Sequence, residues 1–269
     1  MTDSAAVTSR QEDAVDGLLA GRTAVVTGAA AGVGRGIAVA LAAAGASVVV
    51  TARRGEAARE VVDAITAAGG TAAAEVCDVT SAPAVDAALG AAVRRFGRLD
   101  AVVHNATSRR SSEPVDLERA PVALWDEHAA VASVASYTIA RAAHGHLRDT
   151  AGSYVLLTSP AGVQGSANLA FYAAAKGAQR GFVKSLAREW GPDGIRVNAL
   201  APLAVTPALD NAMRLDPGLE DRVTALIPMG RIGDPVADIG PCAVFLCGSA
   251  SRYVTGQTLI VSGGRMTAL

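Results

Sequence analysis

Tyr172 and Lys176 stand four residues apart in Phe171-Tyr172-Ala173-Ala174-Ala175-Lys176, a spacing that puts both side chains on one face of a helix. A phenol with an ordinary pKa of about 10 is a poor acid or base at neutral pH, and a neighbouring ammonium favours its ionised form. The pair therefore reads as a candidate proton-transfer device. The same spacing arises on ordinary amphipathic helices, so by itself it leaves both readings open. Lysine is scarce: beside 22 arginines the chain holds only two lysines, Lys176 and Lys184, and one of them follows a tyrosine by a helical turn.

A second constellation is Thr27-Gly28-Ala29-Ala30-Ala31-Gly32-Val33-Gly34, between an apolar run and a helical segment. Glycines let backbone turn tightly and approach a ligand, and a helix N-terminus offers unpaired N–H groups to a diphosphate. The spacing is G-x-x-x-G-x-G; the commoner dinucleotide fingerprint would need a glycine at Ile37, so a purely structural turn stays an alternative. About 20 residues further on, where a carboxylate would bind the ribose hydroxyls of NAD, the chain reads Val50-Thr51-Ala52-Arg53-Arg54. Ala52 leaves room, and Arg53 and Arg54 suit a 2′-phosphate, which favours NADP(H) over NAD(H). Two solvated arginines opening a surface helix are the alternative. Asp78 is suited either to accept from an adenine amine or to stabilise the turn before Pro83.

These residues need a frame. Apolar or β-branched runs at Thr23–Thr27, Ser47–Thr51, Thr71–Cys77, Ala101–His104, Tyr154–Thr158, Ile195–Leu200 and Gln257–Val261 read as strands. Between them lie helical lengths at Val33–Ala44, Glu56–Ala68, Pro83–Phe96, Val122–Arg148, Ala173–Trp190 and Val236–Cys247. Near-continuous apolar strands joined by helical crossovers predict an α/β doubly wound parallel sheet, Rossmann-like, with helices on both faces. No linker or fixed-period repeat interrupts the rhythm, so residues 21–269 read as a single domain after a loosely ordered arm, 1–20. Leu203–Gly230, with Pro207, Pro217 and Pro228, is too long for an ordinary connection and reads as a substrate-covering insertion.

Composition removes several classes of function. With 51% hydrophobic and 18% charged residues the chain buries a core, and a net charge of −1 gives no electrostatic reason for nucleic acid or an anionic membrane as partner. Fifty-nine alanines mark a strong compositional bias. The polar N-terminal stretch lacks the apolar core of a signal peptide, and no apolar window reaches the ~20 clean residues of a membrane span. Cys77, Cys242 and Cys247 show neither metal-ligand spacing nor an even disulfide framework, which fits a cytoplasmic protein with no metal.

Together the motifs resemble the short-chain dehydrogenase/reductase family in its single-domain form, from Gly21 to Gly264. The residues that carry the resemblance are Thr27 to Gly34, His104-Asn105-Ala106, Trp125-Asp126, Thr158-Ser159-Pro160-Ala161-Gly162, Tyr172-x-x-x-Lys176, Ile195-Arg196-Val197-Asn198-Ala199, and Gly256-Gln257 with Gly263-Gly264. The resemblance implies hydride exchange between a nicotinamide and a ketone or secondary alcohol, with Ser159, Tyr172 and Lys176 catalytic. Tyr172 would donate the proton, Ser159 would steady the carbonyl oxygen, and Lys176 would hold the nicotinamide ribose and lower the phenol pKa. It implies cofactor contacts from Gly28, Gly32, Val33, Gly34, Arg53, Arg54, Asp78, Val79, Asn105, Ala106 and Pro202 as well as from Tyr172 and Lys176. It also implies a homo-oligomer, tetramer or dimer, using the long helices and the C-terminal strand.

The chain departs from the family pattern at several points. Ala132 stands where the family carries an asparagine supporting a water in its proton relay, so the relay is slower, rerouted through Ser133 or water, or absent. A nucleotide-binding protein with impaired catalysis on the same fold is thus the alternative function. Thr107, Leu203 and Ser262 replace two glycines and an aspartate. His128, His144 and His146 read as surface or packing residues without an arranged acidic partner, and Arg109 and Arg110 as solvated charges near the pocket mouth.

Overall fold

The computed structural model describes residues 17–111 and 113–267. Seven strands form one parallel sheet: β1 (Thr23–Thr27), β2 (Ser47–Ala52), β3 (Thr71–Val76), β4 (Ala101–His104), β5 (Ser153–Leu157), β6 (Arg196–Pro202) and β7 (Thr258–Val261). Their order is β3-β2-β1-β4-β5-β6-β7, a doubly wound sheet. The central strands β1, β4 and β5 are buried along their whole length, as expected when helices cover both faces. Thr27 pairs with His104 and His104 with Leu156, so β1, β4 and β5 end within one residue of one another. The strand order reverses between β1 and β4, and the crevice beyond their C-terminal ends is where such sheets take ligands.

The helices are α1 (Gly32–Ala43), α2 (Gly55–Ala67), α3 (Ala82–Phe96), α4 (Val122–Ala129), α5 (Ala135–Thr150), α6 (Ala161–Gln164), α7 (Ala170–Trp190), α8 (Pro207–Leu215), α9 (Leu219–Thr224) and α10 (Gly240–Cys247). One apolar layer joins Val26, Val48, Val103, Val155 and Leu200 to Ile37, Leu41 and Val244. The opposite layer joins Val25, Val102, Tyr154 and Val197 to Leu89, Ile139, Val183 and Trp190.

One expectation needs correction, and two segments gain detail. The segment expected as one helix, Val122–Arg148, is α4 and α5 joined by a π turn, Ala130–Val134. The insertion Leu203–Gly230 contains two helices: Thr206 caps α8 by accepting the Leu209 N–H, and Pro207 takes a helix-initial position where its missing donor costs nothing. The arm expected over 1–20 falls mostly outside the described residues, but Leu19 is a core residue whose N–H donates to the Ala44 carbonyl at 2.8 Å.

Candidate active site

The glycine-rich turn is shaped by what it cannot hold. Gly28 has φ +62°, and a Cβ there would stand 2.8 Å from the Ala106 Cα. A Cβ on Gly34 would stand 2.3 Å from Asn105 Nδ2 and 2.6 Å from the Gly28 carbonyl oxygen. Asn105 explains the crowding: its Nδ2 donates to the carbonyls of Thr27 (3.2 Å) and Gly28 (2.9 Å), clamping the end of β1 to the end of β4. Gly34 and Asn105 thus brace the cradle, and Gly28, Gly32 and Val33 line it. Gly36, which sequence reasoning passed over, lets α1 meet Pro235 at a distance no side chain would permit. The doublet Gly34-Arg35-Gly36 was the available signal.

The cradle opens into a cleft of about 1130 Å³, beyond the usual span of a pocket for one small ligand. Arg53 and Arg54 line it at the end of β2, both exposed, with Ala52 beneath. Asp78 and Val79 follow β3 on the same wall. Asp78 holds its turn, accepting from the Thr80 N–H (2.9 Å) and hydroxyl (2.7 Å); these bonds, and secondarily the Arg53 charge, keep its carboxyl below the usual range. Ala106 and Pro202, after β4 and β6, line the middle of the cleft, and Tyr172 and Lys176 its far end. A pinched glycine turn, a cleft of this size and two arginines with no carboxylate at the β2 end suit an elongated dinucleotide.

The reactive end is set by contacts between distant segments. A Cβ on Gly162 would lie 2.6 Å from the Lys176 carbonyl carbon, so α6 crosses tight against α7. The Thr158 hydroxyl donates to the Lys176 carbonyl at 2.8 Å, tying the end of β5 to the same turn. Lys176 itself is buried; its Nζ donates to the Leu157 carbonyl (2.6 Å) and to Gln179 Oε1 (3.1 Å) and lies 5.8 Å from the Tyr172 ring centre. Burial pulls the ammonium down to about 8. Tyr172 is pushed above its ordinary value by burial, with the Ser159 hydroxyl drawing it partly back. Burial sets the net direction upward, and the group that draws the phenol back is Ser159 rather than the Lys176 of the family expectation. Ser159 follows β5 and also accepts the Ala161 N–H at 3.2 Å.

Ala132 is buried on the π turn, and the polar partner beside it is Ser136, not Ser133. His104, buried at the end of β4, takes Thr27 Oγ1 on Nδ1 at 3.0 Å and is held neutral, its pKa pushed down to about 3 by burial and by the Lys176 charge. His128 is also buried, its ring edge toward Tyr172 with centres 6.4 Å apart. His144 does have an acidic partner, Asp193, at 2.8 Å. Arg110 pairs with Glu113 at 2.8 Å, and Arg109 lines the cleft. Among the described residues no cluster of His, Cys, Asp and Glu is arranged to hold a metal.

Residues 28–266 match the family profile described as Enoyl-(Acyl carrier protein) reductase. The chain is 33% identical to a 12α-hydroxysteroid dehydrogenase from a Clostridium species, over 92% of this chain and 98% of that one. It is 35% identical to the 7α-hydroxysteroid dehydrogenase of Escherichia coli K12, over 93% and 96% respectively. A 3-ketoacyl-(acyl-carrier-protein) reductase from Brucella melitensis, solved with NADH, superposes with a TM-score of 0.84 at 33% identity, covering 92% of this chain and 99% of that one. With the doubly wound sheet, the pinched glycine turn and the Tyr172–Lys176 helix in place, the chain belongs to the short-chain dehydrogenase/reductase family of nicotinamide-dependent oxidoreductases.

Proposed function

We propose that the chain is an NADP(H)-dependent carbonyl reductase or secondary-alcohol dehydrogenase, with reduction the favoured direction. The observation that carries this reading is geometric: Tyr172, with Lys176 one turn along α7 and Ser159 after β5, stands at the end of a dinucleotide-sized cleft, and its phenol holds a proton at neutral pH. When bound, the nicotinamide supplies the hydride. Tyr172 then donates its proton to the carbonyl oxygen, and Ser159 donates a hydrogen bond to that oxygen as charge builds on it. Lys176 would hold the ribose hydroxyls through the ammonium proton that Leu157 and Gln179 leave free. The reverse oxidation needs the phenolate and so rises toward alkaline pH, whereas reduction persists at neutral pH and below.

Arg53 and Arg54, directly after Ala52 at the end of β2, support NADP(H) over NAD(H). Carbonyl reduction, 3-oxoacyl compounds included, is the substrate class proposed; the pocket beside Tyr172 mixes Val115, Leu117, Leu124 and Phe171 with Glu113, His128 and Asn168 and favours no narrower one. A homo-oligomer, dimer or tetramer, is supported by Trp125, Val134 and Tyr137, exposed along α4, the π turn and α5. Sedimentation showing only a 27.0 kDa species would overturn the oligomer. A cytoplasmic site is supported by three unpaired cysteines, and no described helix is long and apolar enough to cross a membrane.

The test is turnover of a ketone panel, 3-oxoacyl thioesters and cyclic ketones included, followed at the nicotinamide absorbance with NADPH and with NADH. Turnover with NADPH is expected. Tight NADPH binding with no turnover across the panel would favour the alternative that Ala132 raises, a nucleotide-binding protein whose catalysis is impaired.

A further inference from the structure

Gln179 is a polar residue on an apolar face. Ala175, Val183, Leu186 and Trp190 form the buried side of α7, and Gln179 sits in the same stripe at 1% exposure. Burying an amide is unfavourable unless its donors and acceptor are satisfied, and here they are. Lys176 Nζ donates to Gln179 Oε1 at 3.1 Å; Gln179 Nε2 donates to Ser136 Oγ at 3.1 Å and, at 3.4 Å, to the Ala132 carbonyl; the Ser136 hydroxyl donates to that same carbonyl. Every donor in the chain points one way, from the ammonium to the π turn. This fixes the amide orientation, since a flipped amide would set its N–H groups against the ammonium.

We propose that Gln179 is the positioning residue for Lys176: it links the ammonium to the Ala130–Val134 turn through Ser136 and holds it in its charged form facing the cleft. The assignment rests on Lys176 being part of the reactive set. An ammonium has three protons, and the protein supplies acceptors for two of them, Leu157 O and Gln179 Oε1. The other titratable groups facing it are Tyr172 one turn back on α7, His104 at the end of β4 and His128 on α4. Both imidazoles are kept neutral by burial and offer it no negative charge. The side-chain amide is therefore the adjustable partner. Removing it leaves the buried ammonium one acceptor short and favours the uncharged amine; a carboxylate in its place favours the charge.

The chain has only two lysines, so [13C]lysine labelling gives two sets of ε-carbon signals, assigned by Lys176→Met, and their pH titration reads Lys176 directly without cofactor or substrate. Gln179→Leu should move the Lys176 midpoint down and Gln179→Glu should move it up, each by about one pH unit or more. Opposite shifts separate this role from general damage to packing, which would move both variants alike. A Lys176 midpoint that is the same in parent, Gln179→Leu and Gln179→Glu, or that moves in one direction in both variants, overturns the assignment. In the turnover assay the alkaline limb of kcat should follow the same two directions. Opposite NMR shifts in a protein that turns over no ketone would uphold the Gln179–Lys176 link and overturn the reductase reading.

Discussion

At the β1–β3 end of the cleft the ligand surface is backbone and absence: Gly28 and Gly34 admit no Cβ, Ala52 leaves space, and the arginines stand in solvent. At the β4–β5 end it is buried side chains holding one another: His104 with Thr27, Lys176 with Gln179, Gln179 with Ser136. The first end works by shape and exposed charge, which water screens and pH leaves alone. The second works by protons kept away from water, where each ionisation is costly. The reactive end should therefore respond steeply to pH and to loss of single polar groups, while the cradle should respond to salt and to added volume.

The largest contrast is expected in acid. His104 has a folded pKa of about 3 against an ordinary 6.5. Below about pH 6.5 the unfolded chain takes up a proton there and the folded protein does not. The stability present above that pH is lost as pH falls toward 3, up to about 5 kcal/mol for a fully buried ring. Denaturant unfolding of parent and His104→Asn between those limits should show the variant's stability falling less steeply; parallel curves would remove the distinction between the two ends.

Lys176 acts at the other limit. Below about pH 8 both states carry its charge and the whole cost of burial is present; between about 8 and 10.5 the folded protein sheds the proton while the unfolded chain keeps it. Stability contributed by this group thus rises with pH across that window, by about 3 kcal/mol. Lys176→Met should abolish the rise, measured as the difference between the two unfolding free energies at each pH.

At the cradle end, Arg53→Ala with Arg54→Ala should narrow the preference for NADPH over NADH by roughly 1.5–3 kcal/mol, about one to two decades in Kd ratio. Raised salt should shrink the same preference in the parent. Equal binding of both cofactors by the parent would sink the NADP assignment.

Legibility in sequence follows the same division. Each strand was placed to within about two residues, because buried parallel strands are continuous apolar runs. The glycine turn and the Tyr172–Lys176 spacing are local, so they too were readable. The π turn was not: Ala130 to Val134 include no Gly or Pro to mark a break, and the wider turn lies against Gln179, some fifty residues away. The pairing of His104 with Thr27 across 77 residues and of Gln179 with Ser136 across 43 exists only once β1, β4, α5 and α7 are assembled. A polar residue within the apolar stripe of α7 was the one signal for Gln179. In the insertion, Pro207 reads as a break until Thr206 ahead of it is taken as a cap.

The division of labour itself is tested most directly by Tyr172→Phe, assayed in parallel for NADPH affinity and for ketone reduction. The substitution removes a proton and an oxygen and little volume. The account predicts an NADPH Kd near that of the parent and a kcat lower by about 100- to 10,000-fold, the range a positioned general acid contributes. A variant that reduces ketones at the parent's rate would contradict it.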